Sequence, residues 1–493
     1  MNFVSEIVDA AAPERLALLE LARDGTRREW SFGEVSERSA RMAGTLRELG
    51  VDRGDVVMTL IGNRPEWVFA MLACFRIGAI VLPCTEQLRA KDLRLRIDTV
   101  DPALIVYDER NRQELEAALT GVSTSIPIAY VPDERLFAAT PAPAVELHSE
   151  DPCLITFTSG TAGEPKAVVH AQRYLDGQRV QAEHWLGARP GDLVWCTAAS
   201  GWSKSARNVF IAPWLSGAAA LLHDARFDPH ERLELLERER VNLLCMAPTE
   251  YRVIAKRATL RPLAHLRGMV AAGEALNPEV LRAWKEATGL EIRDGYGQTE
   301  TGQTTGTPIG IDARPGSMGR ALPGMGLAIV DGELTVDPAS VPTFFLGYLG
   351  EHVTRSADGA WSVDDRRDGG PWHTGDKVTE DEDGWLHFEG RADDVIVSAG
   401  YRIGPFEVES ALVAHPAVAE AAAVAASDEE RGAVVRAVVV LRGEYVPSPE
   451  LVRELQEHVK RETAPYKYPR IIEFAEELPK TASGKVKRAQ LRG

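Results

Sequence analysis

A chain of 493 residues, 44% hydrophobic and 26% charged, is long enough for several domains, each with its own apolar core. Its formal net charge of −17 excludes broad binding to nucleic acid or to an anionic membrane surface, because both require a positive face. Five cysteines (Cys74, Cys84, Cys153, Cys196 and Cys245) stand singly in apolar stretches, which argues for reduced, buried thiols and against a zinc site.

The first residues carry Glu6 and Asp9 where a signal peptide needs an apolar run, so a cytoplasmic setting is expected. Ser31 reads as the N-cap of a helix over 31–49. Short β-branched strands at 55–61 and 79–82 flank a helix at 66–77. Strand, helix and strand in that order imply a parallel sheet with helices on its faces. The stretch 209–222 is too short to span a bilayer and is interrupted by Pro213, Ser216 and Gly217, so a buried strand–turn–strand is expected. The alternation continues with strands at 218–222, 241–245 and 291–293 and helices at 229–240 and 278–288. Beyond 327 the texture changes to short strands, at 327–336 and 385–389, with an acidic, exposed loop expected over 356–370. The chain restarts at 391, with strands at 395–397, 419–425, 434–441 and 470–474 and helices at 405–415 and 449–463. The domains expected are 1–390, a hinge at 391–394, and 395–493.

Five motifs carry chemistry. The first is Thr158-Ser159-Gly160-Thr161-Ala162-Gly163-Glu164-Pro165-Lys166, after an apolar run. Glycines and small hydroxyl residues let backbone N–H groups approach phosphate oxygens, and Lys166 adds charge, although this is not a Walker A loop. The second is Asp294-Gly295-Tyr296-Gly297-Gln298-Thr299-Glu300, in which Tyr296 offers a face for a purine and Glu300 a hard oxygen for Mg²⁺. The third, Trp372 to Asp376, sets a carboxylate on a glycine turn, suited to two ribose hydroxyls. The fourth runs Arg391-Ala392-Asp393-Asp394 and on to Ala399-Gly400-Tyr401-Arg402. The fifth, Lys480 to Lys485, puts a lysine on a glycine-containing tail. Each has a bland reading alone, as a polar turn or a solvated basic tail; their order along one chain is what excludes coincidence.

In that order the motifs resemble the adenylate-forming superfamily over nearly the whole chain. Gly201-Trp202-Ser203-Lys204, Gly400 to Pro405 and Pro465 to Arg470 look most like its medium-chain acyl-CoA synthetases. The resemblance implies an α/β fold: a large N-terminal domain of parallel and mixed sheets with packed helices and a small β-barrel-like part, then a small mobile α+β domain. It implies an acid–thiol ligase that uses ATP, Mg²⁺ and coenzyme A to convert a carboxylic acid, by way of an acyl-adenylate, into acyl-CoA, AMP and pyrophosphate. A homodimer stays open.

By the same resemblance Thr158 to Lys166 close over the β- and γ-phosphates, and Tyr296 lies on adenine within the Asp294–Thr299 segment. Thr299 contacts the α-phosphate and the acid, Glu300 holds Mg²⁺, Asp376 with Arg391 binds ribose, and Lys485 catalyses adenylation. Asp393 matches the hinge. Ala399, Gly400 and Tyr401 turn to face coenzyme A in the second step. Gln87, Arg431, Tyr468, Pro469 and Arg470 match coenzyme A contacts, while Trp202 and Arg402 match acid contacts. Acetate-specific members have a tryptophan where Gly297 stands, so an open pocket for a medium-chain or aromatic acid is expected. Ala162 departs from the commoner threonine and removes one donor. Two other readings remain: an enzyme that loads a carrier protein, and a catalytically dead nucleotide or acyl sensor. Amino-acid-loading enzymes set an aspartate in the pocket, and none stands at 271–275 or 296–298; a dead sensor should have lost Lys485, Glu300 or Asp376, and all three are present.

Overall fold

The computed structural model describes residues 1–493 except 123–124, 159–164, 275, 277, 357–358, 393, 395, 399–400, 429–431, 464, 482–484 and 493, and except the side chains of 368, 397, 401, 402, 432 and 465. Val56–Leu60, Ile80–Cys84 and Leu104–Asp108 are apolar runs buried at every position, the pattern of strands covered on both faces. They form the centre of a seven-stranded sheet ordered Gly347–Tyr348, Ala167–Ala171, Pro152–Phe157, Ile80–Cys84, Val56–Leu60, Leu104–Asp108 and Ile128–Val131. A second seven-stranded sheet is ordered Ile292–Gly295, Gly268–Ala272, Leu243–Met246, Leu193–Cys196, Ala219–His223, Leu16–Leu21 and Arg27–Ser31. Its pairs are parallel except the last.

Alternation of side chains across each strand sorts the residues into three layers of core. Val57 and Val81 from one sheet, and Leu18, Val194 and Ala220 from the other, meet in one cluster around Pro65–Ile77. That helix buries every residue but Glu66, as a helix enclosed between two sheets must. Gly78 closes it in the left-handed region. The outward residues Val56, Met58 and Ile80 pack with Leu93, Ile97 and Leu115 from helices Ala90–Val100 and Arg112–Leu119. Leu19, Trp195 and Leu244 pack with Leu233, Tyr251 and Trp284 from three further helices. Ser31 is the expected N-cap: its side chain accepts from the Glu34 N–H, and Glu34 returns the bond in a capping box.

Two expectations are corrected. The 209–222 stretch is not strand–turn–strand: Arg207–Ile211 and Ala212–Leu215 are helical turns, followed by Gly217 and the strand Ala219–His223. A short apolar run carries no period of its own, and Pro213 fits the first turn of a helix. The helical choice places Phe210 edge-on to Trp67 at 5.7 Å and Trp214 5.3 Å from Phe32. Nor is 356–370 simply an exposed loop. Trp361–Val363 pairs with Val353–Arg355, and the Trp361 Nε1–H donates to the Gly54 carbonyl at 2.8 Å.

Leu327–Val330, Glu333–Val336, Trp372–Glu380 and Leu386–Arg391 make an antiparallel sheet that carries Asp376 and Arg391 as register partners. The last hundred residues form their own core. Val418–Asp428, Gly432–Leu441 and Ile471–Phe474 make a three-stranded sheet, and Leu412, Val439, Leu455 and Val459 pack it against helices Pro405–Ala414 and Pro449–Glu462. This unit meets the rest closely: a Cβ on Gly404 would lie 2.1 Å from the Glu389 carbonyl oxygen, and Lys256 Nζ donates to the Ala419 carbonyl at 3.3 Å. All five cysteines are buried and free. Among the described residues no helix is long and apolar enough to cross a membrane.

Gly44 tests the packing of the large unit. A Cβ there would lie 2.1 Å from the Thr140 carbonyl oxygen, which is backbone and cannot swing away. Gly44→Ala should destabilise the protein by about 1–3 kcal/mol, read as a lower denaturation midpoint; an unchanged midpoint contradicts the close approach.

Candidate active site

Parallel strands deliver their carboxyl ends to one side of a sheet, where ligands of open α/β folds collect. Here Ile292–Gly295 leads into Tyr296, Gly268–Ala272 into Gly273 and Glu274, and Ile80–Cys84 into Thr85. Phe157 leads into Thr158. All of these residues line a cleft of about 1420 Å³, roofed by the small C-terminal unit.

Asp376 organises one end of the cleft. It is 5% exposed, and its Oδ2 accepts from the Tyr296 hydroxyl at 2.5 Å and from Gln298 Nε2 at 2.9 Å. Its Oδ1 lies 3.2 Å from Arg391 Nη1, which also donates to the Thr374 carbonyl. Gln298 is held in turn by Trp372, whose Nε1–H donates to Gln298 Oε1 at 3.1 Å. Burial, and then the Asp376 charge, push the Tyr296 phenol well above its usual range, so it stays a donor. A carboxylate has about four acceptor positions, and these contacts leave some of them free for hydroxyls of a ligand.

Thr158 and Lys166 close the base of the glycine-rich turn. The Thr158 N–H donates to the Lys166 carbonyl at 2.9 Å, and the Lys166 N–H donates to Thr158 Oγ1 at 3.0 Å. Lys166 Nζ pairs with Glu351 at 2.7 Å and lies 4.6 Å from the centre of the Tyr348 ring. The Tyr348 hydroxyl donates to Glu300 Oε1 at 2.8 Å, which fixes that buried carboxylate and leaves Oε2 uncommitted by this bond. Among the described residues no three His, Cys, Asp or Glu side chains gather as a metal cage. One oriented carboxylate is nevertheless the usual protein share of a Mg²⁺ site completed by phosphates and water.

The small unit contributes Lys485. The Thr481 N–H donates to the Lys485 carbonyl at 2.8 Å and the Lys485 N–H to Thr481 Oγ1 at 3.1 Å, so the tip carrying the lysine is pinned at its base. Burial lowers the Lys485 pKa, and Lys204 and Arg391 push the same way against Glu274 and Asp376. That set of neighbours places the ammonium between the Asp376–Arg391 end of the cleft and the wall formed by Lys204 and Glu274.

Residues 6–355 match the AMP-binding enzyme family, and residues 407–485 match the AMP-binding enzyme C-terminal domain. The chain belongs to the AMP-binding enzyme family. An acyl-CoA ligase of Bacillus subtilis, itself uncharacterised, is 39% identical over all of this chain and 95% of its own. The acyl-coenzyme A synthetase ACSM3 of Rattus norvegicus, a mitochondrial protein, is 38% identical over 95% of this chain and 85% of its own. Among solved structures, a benzoate CoA ligase from Burkholderia xenovorans superposes with a TM-score of 0.86 at 26% identity, covering all of both chains. The family assignment makes this chain an ATP-dependent, AMP-forming acid–thiol ligase.

Of the residues the sequence singles out, this AMP-binding enzyme brings Thr158, Pro165, Lys166, Trp202, the Asp294–Glu300 segment, Asp376, Arg391 and Lys485 to the one cleft. Ser159, Gly160, Thr161, Ala162, Gly163 and Glu164 lie outside the described residues, as do Asp393, Ala399, Gly400, Arg431 and the side chains of Tyr401 and Arg402. Gln87, Tyr468, Pro469 and Arg470 do not line the cleft. Arg470 Nη1 instead donates to the Tyr468 hydroxyl at 2.7 Å, and Tyr468 packs on the core of the small unit. Sequence reasoning passed over Tyr348, Arg207 and Glu274, and gave Lys204 no role beyond its place in the Gly201–Lys204 segment; all four line the cleft, and Tyr348 is also the partner of Glu300. Tyr348 stands in an apolar, aromatic run after Phe344, Phe345 and Leu346, which gives no sign of a site role, and Arg207 and Glu274 carry no local signal.

Gly297 needs a correction of reasoning. It lines the cleft, but a Cβ on it would lie 1.8 Å from the Gly302 carbonyl oxygen, because Gly297–Gln298 pairs closely with Gly302–Gln303. The glycine is therefore required by the hairpin, and the missing side chain does not by itself open acyl space. Gly297→Ala should lower adenylation of every acid together, by about tenfold or more, as the Thr299–Glu300 turn is displaced. A mere shift of preference toward acetate, at undiminished rate, would restore the open-pocket explanation.

Proposed function

We propose that this enzyme activates a medium-chain or aromatic acid, with Mg²⁺ bound beside the ATP phosphates, and passes the acyl group to coenzyme A in the cytoplasm. The observation that carries this reading is the meeting of Lys485, from the small unit, with the Tyr296–Asp376–Arg391 arrangement of the large one. The aromatic alternative is supported by the benzoate ligase among the structural relatives, and the medium-chain one by the Gly201–Lys204 and Pro465–Arg470 segments. Domains of 1–390 and 395–493, hinged at 391–394, fit the independent core of the small unit.

An acid oxygen attacks the α-phosphorus of ATP and pyrophosphate leaves in line, giving a mixed anhydride. Two anions must approach, so the barrier is largely electrostatic. Thr299 and Lys485 are positioned to hold the acid and the α-phosphate. Asp376 offers its remaining lone pairs to ribose, beside the Tyr296 ring. Glu300, oriented by Tyr348, would hold Mg²⁺, which neutralises phosphate charge when bound. Coenzyme A sulfur then attacks the acyl carbon, its proton passes to solvent or a base, and AMP leaves. No protein nucleophile is required, which agrees with five buried thiols.

Lys485→Ala should abolish acid-dependent pyrophosphate exchange while leaving thioester formation from a supplied acyl-adenylate largely intact; equal loss of both steps removes the assigned role. The lysine also predicts a pH limit. Its folded pKa lies below the ordinary value near 10.4, so the cation is present at neutral pH and is lost as pH rises through that lowered value. Adenylation should fall on the alkaline side earlier than a free lysine would allow, and Lys485→Arg, if active, should lose that limb.

A further inference from the structure

Burial works against Lys485 where it stands, since desolvation and the nearby Lys204 and Arg391 all disfavour its charge. A lysine on a loop leaves such a place for water unless something outside the loop holds it. The base of this loop is closed by backbone: Lys480 pairs with Val486, and the Lys487 N–H donates to the Pro479 carbonyl at 2.8 Å. Beneath it Leu478, Val486 and Leu491 pack against Ala422 and Val438. Apolar contacts of that kind are non-directional and do not set how far the tip reaches.

Arg488, one helical turn's length of chain past the lysine, supplies the direction. Its Nε and Nη2 donate to Glu409 Oε1 at 3.1 and 2.9 Å, and Nη2 also reaches Oε2 at 2.8 Å. Glu409 stands on helix Pro405–Ala414, and its Oε1 accepts from the Ala423 N–H at 2.8 Å, so helix and strand fix the carboxylate that the arginine meets. A planar guanidinium held through two nitrogens cannot slide or turn without breaking both bonds. The third nitrogen, Nη1, faces Asp394 Oδ2 at 3.6 Å, and Arg492 pairs with the same carboxylate. Asp394 closes the turn that begins at Arg391, its N–H donating to the Arg391 carbonyl at 3.0 Å. Arg391 in turn faces Asp376. Contacts therefore run without a break from the large unit, through this turn, to the arginine beside the lysine loop, and Asp394, Glu409 and Arg488 all line the cleft.

We propose that Arg488 is the positioning residue of the adenylation step: Glu409 seats it on the small unit, Asp394 ties it to the turn that carries Arg391, and together they set Lys485 at the α-phosphate. This rests on the acyl-CoA synthetase reading above and deepens it. The two arms have different tasks. The Glu409 arm lies wholly within the small unit and fixes the reach of the loop. The Asp394 arm lies at the segment proposed as the hinge and joins the loop to the closed arrangement. The second half-reaction, as proposed, uses no group on this loop, so only the first feels the loss of Arg488.

The test measures the two half-reactions apart on the full chain. The first is acid-dependent ATP–pyrophosphate exchange, with the acid wild-type protein uses best among acetate, hexanoate, octanoate, dodecanoate and benzoate. The second is acyl-CoA formation from the supplied adenylate of that acid. Arg488→Gln should lower the exchange kcat by about 100-fold, the effect of misplacing a reacting group by about an ångström. The KM for ATP and the rate of thioester formation should both stay within about threefold. Arg488→Lys keeps the charge without the fork and should recover about tenfold of the loss. Asp394→Asn leaves the Glu409 seat intact and should lower exchange by a smaller factor, about three- to tenfold, with thioester formation again spared. A role confined to stability moves both steps together, so equal loss of the two in folded Arg488→Gln or Asp394→Asn overturns the proposal. Exchange retained within about twofold in Arg488→Gln overturns it as well. If Arg488→Gln does not fold, Arg488→Lys and Asp394→Asn decide by the same split. Wild-type protein that exchanges with none of the acids strikes the acyl-CoA synthetase reading itself.

Discussion

A lysine ammonium, that of Lys485, is taken out of water at the cleft, and the rest of the site is arranged around the cost of burying that charge. Burial disfavours the charge on Lys485, and the neighbouring Lys204 and Arg391 add to the penalty. Asp376 and Glu274 oppose it. Asp376 is itself fixed in place, by Tyr296, Gln298 and Arg391. Those three come from two different parts of the chain: the turn after the last parallel strand, and the antiparallel sheet that pairs Asp376 with Arg391. The lysine from the small unit is therefore compatible with the cleft only when both parts are in register.

The same dependence explains the backbone demands around the site. The turn from Tyr296 to Glu300 must fold back so that Gly297 touches Gly302, and the Thr343 hydroxyl donates to the Thr301 carbonyl behind it. That fold-back sets Gln298 against Asp376 on one side and Glu300 against Tyr348 on the other. Two carboxylates with different tasks are thus oriented by one hairpin. Tyr348 also lies beneath Lys166, so the base of the glycine-rich turn and the candidate metal carboxylate are linked by direct contacts.

The parallel sheet was readable from residue types alone, because strands buried on both faces are written as unbroken Val, Ile and Leu runs, and the helix signal at Ser31 is local chemistry. The 209–222 stretch was not, since Phe210 and Trp214 take their conformation from Trp67 and Phe32 far away in sequence. The convergence of the motif residues on one cleft was legible only from their order along the chain, since each alone reads equally as a polar turn or a solvated tail. Arg207 looks like any cation beside an apolar run, and its place at the cleft arises only when the turn at Gly302 is brought beside it. Tyr348 was hidden likewise, its role depending on a carboxylate 48 residues earlier.

Charge gives a direction to the exchange between the two half-reactions. With ATP bound, the triphosphate offsets the burial of Lys485 and the repulsion from Lys204. Loss of pyrophosphate removes most of that negative charge, while the desolvation of Lys485 and the two opposing cations remain. Holding the small unit closed is then less favourable than before the reaction, by the very interactions that assisted adenylation. The small unit has its own core and is stiffened internally, with Arg488 paired to Glu409 and Arg436 to Glu473, so it can leave as one body. A hinge at 391–394 would let it do so without disturbing Asp376, which is fixed within the large unit by Tyr296 and Gln298. On the function proposed above, the electrostatics that lower the first barrier would thereby also free the cleft for the thiol.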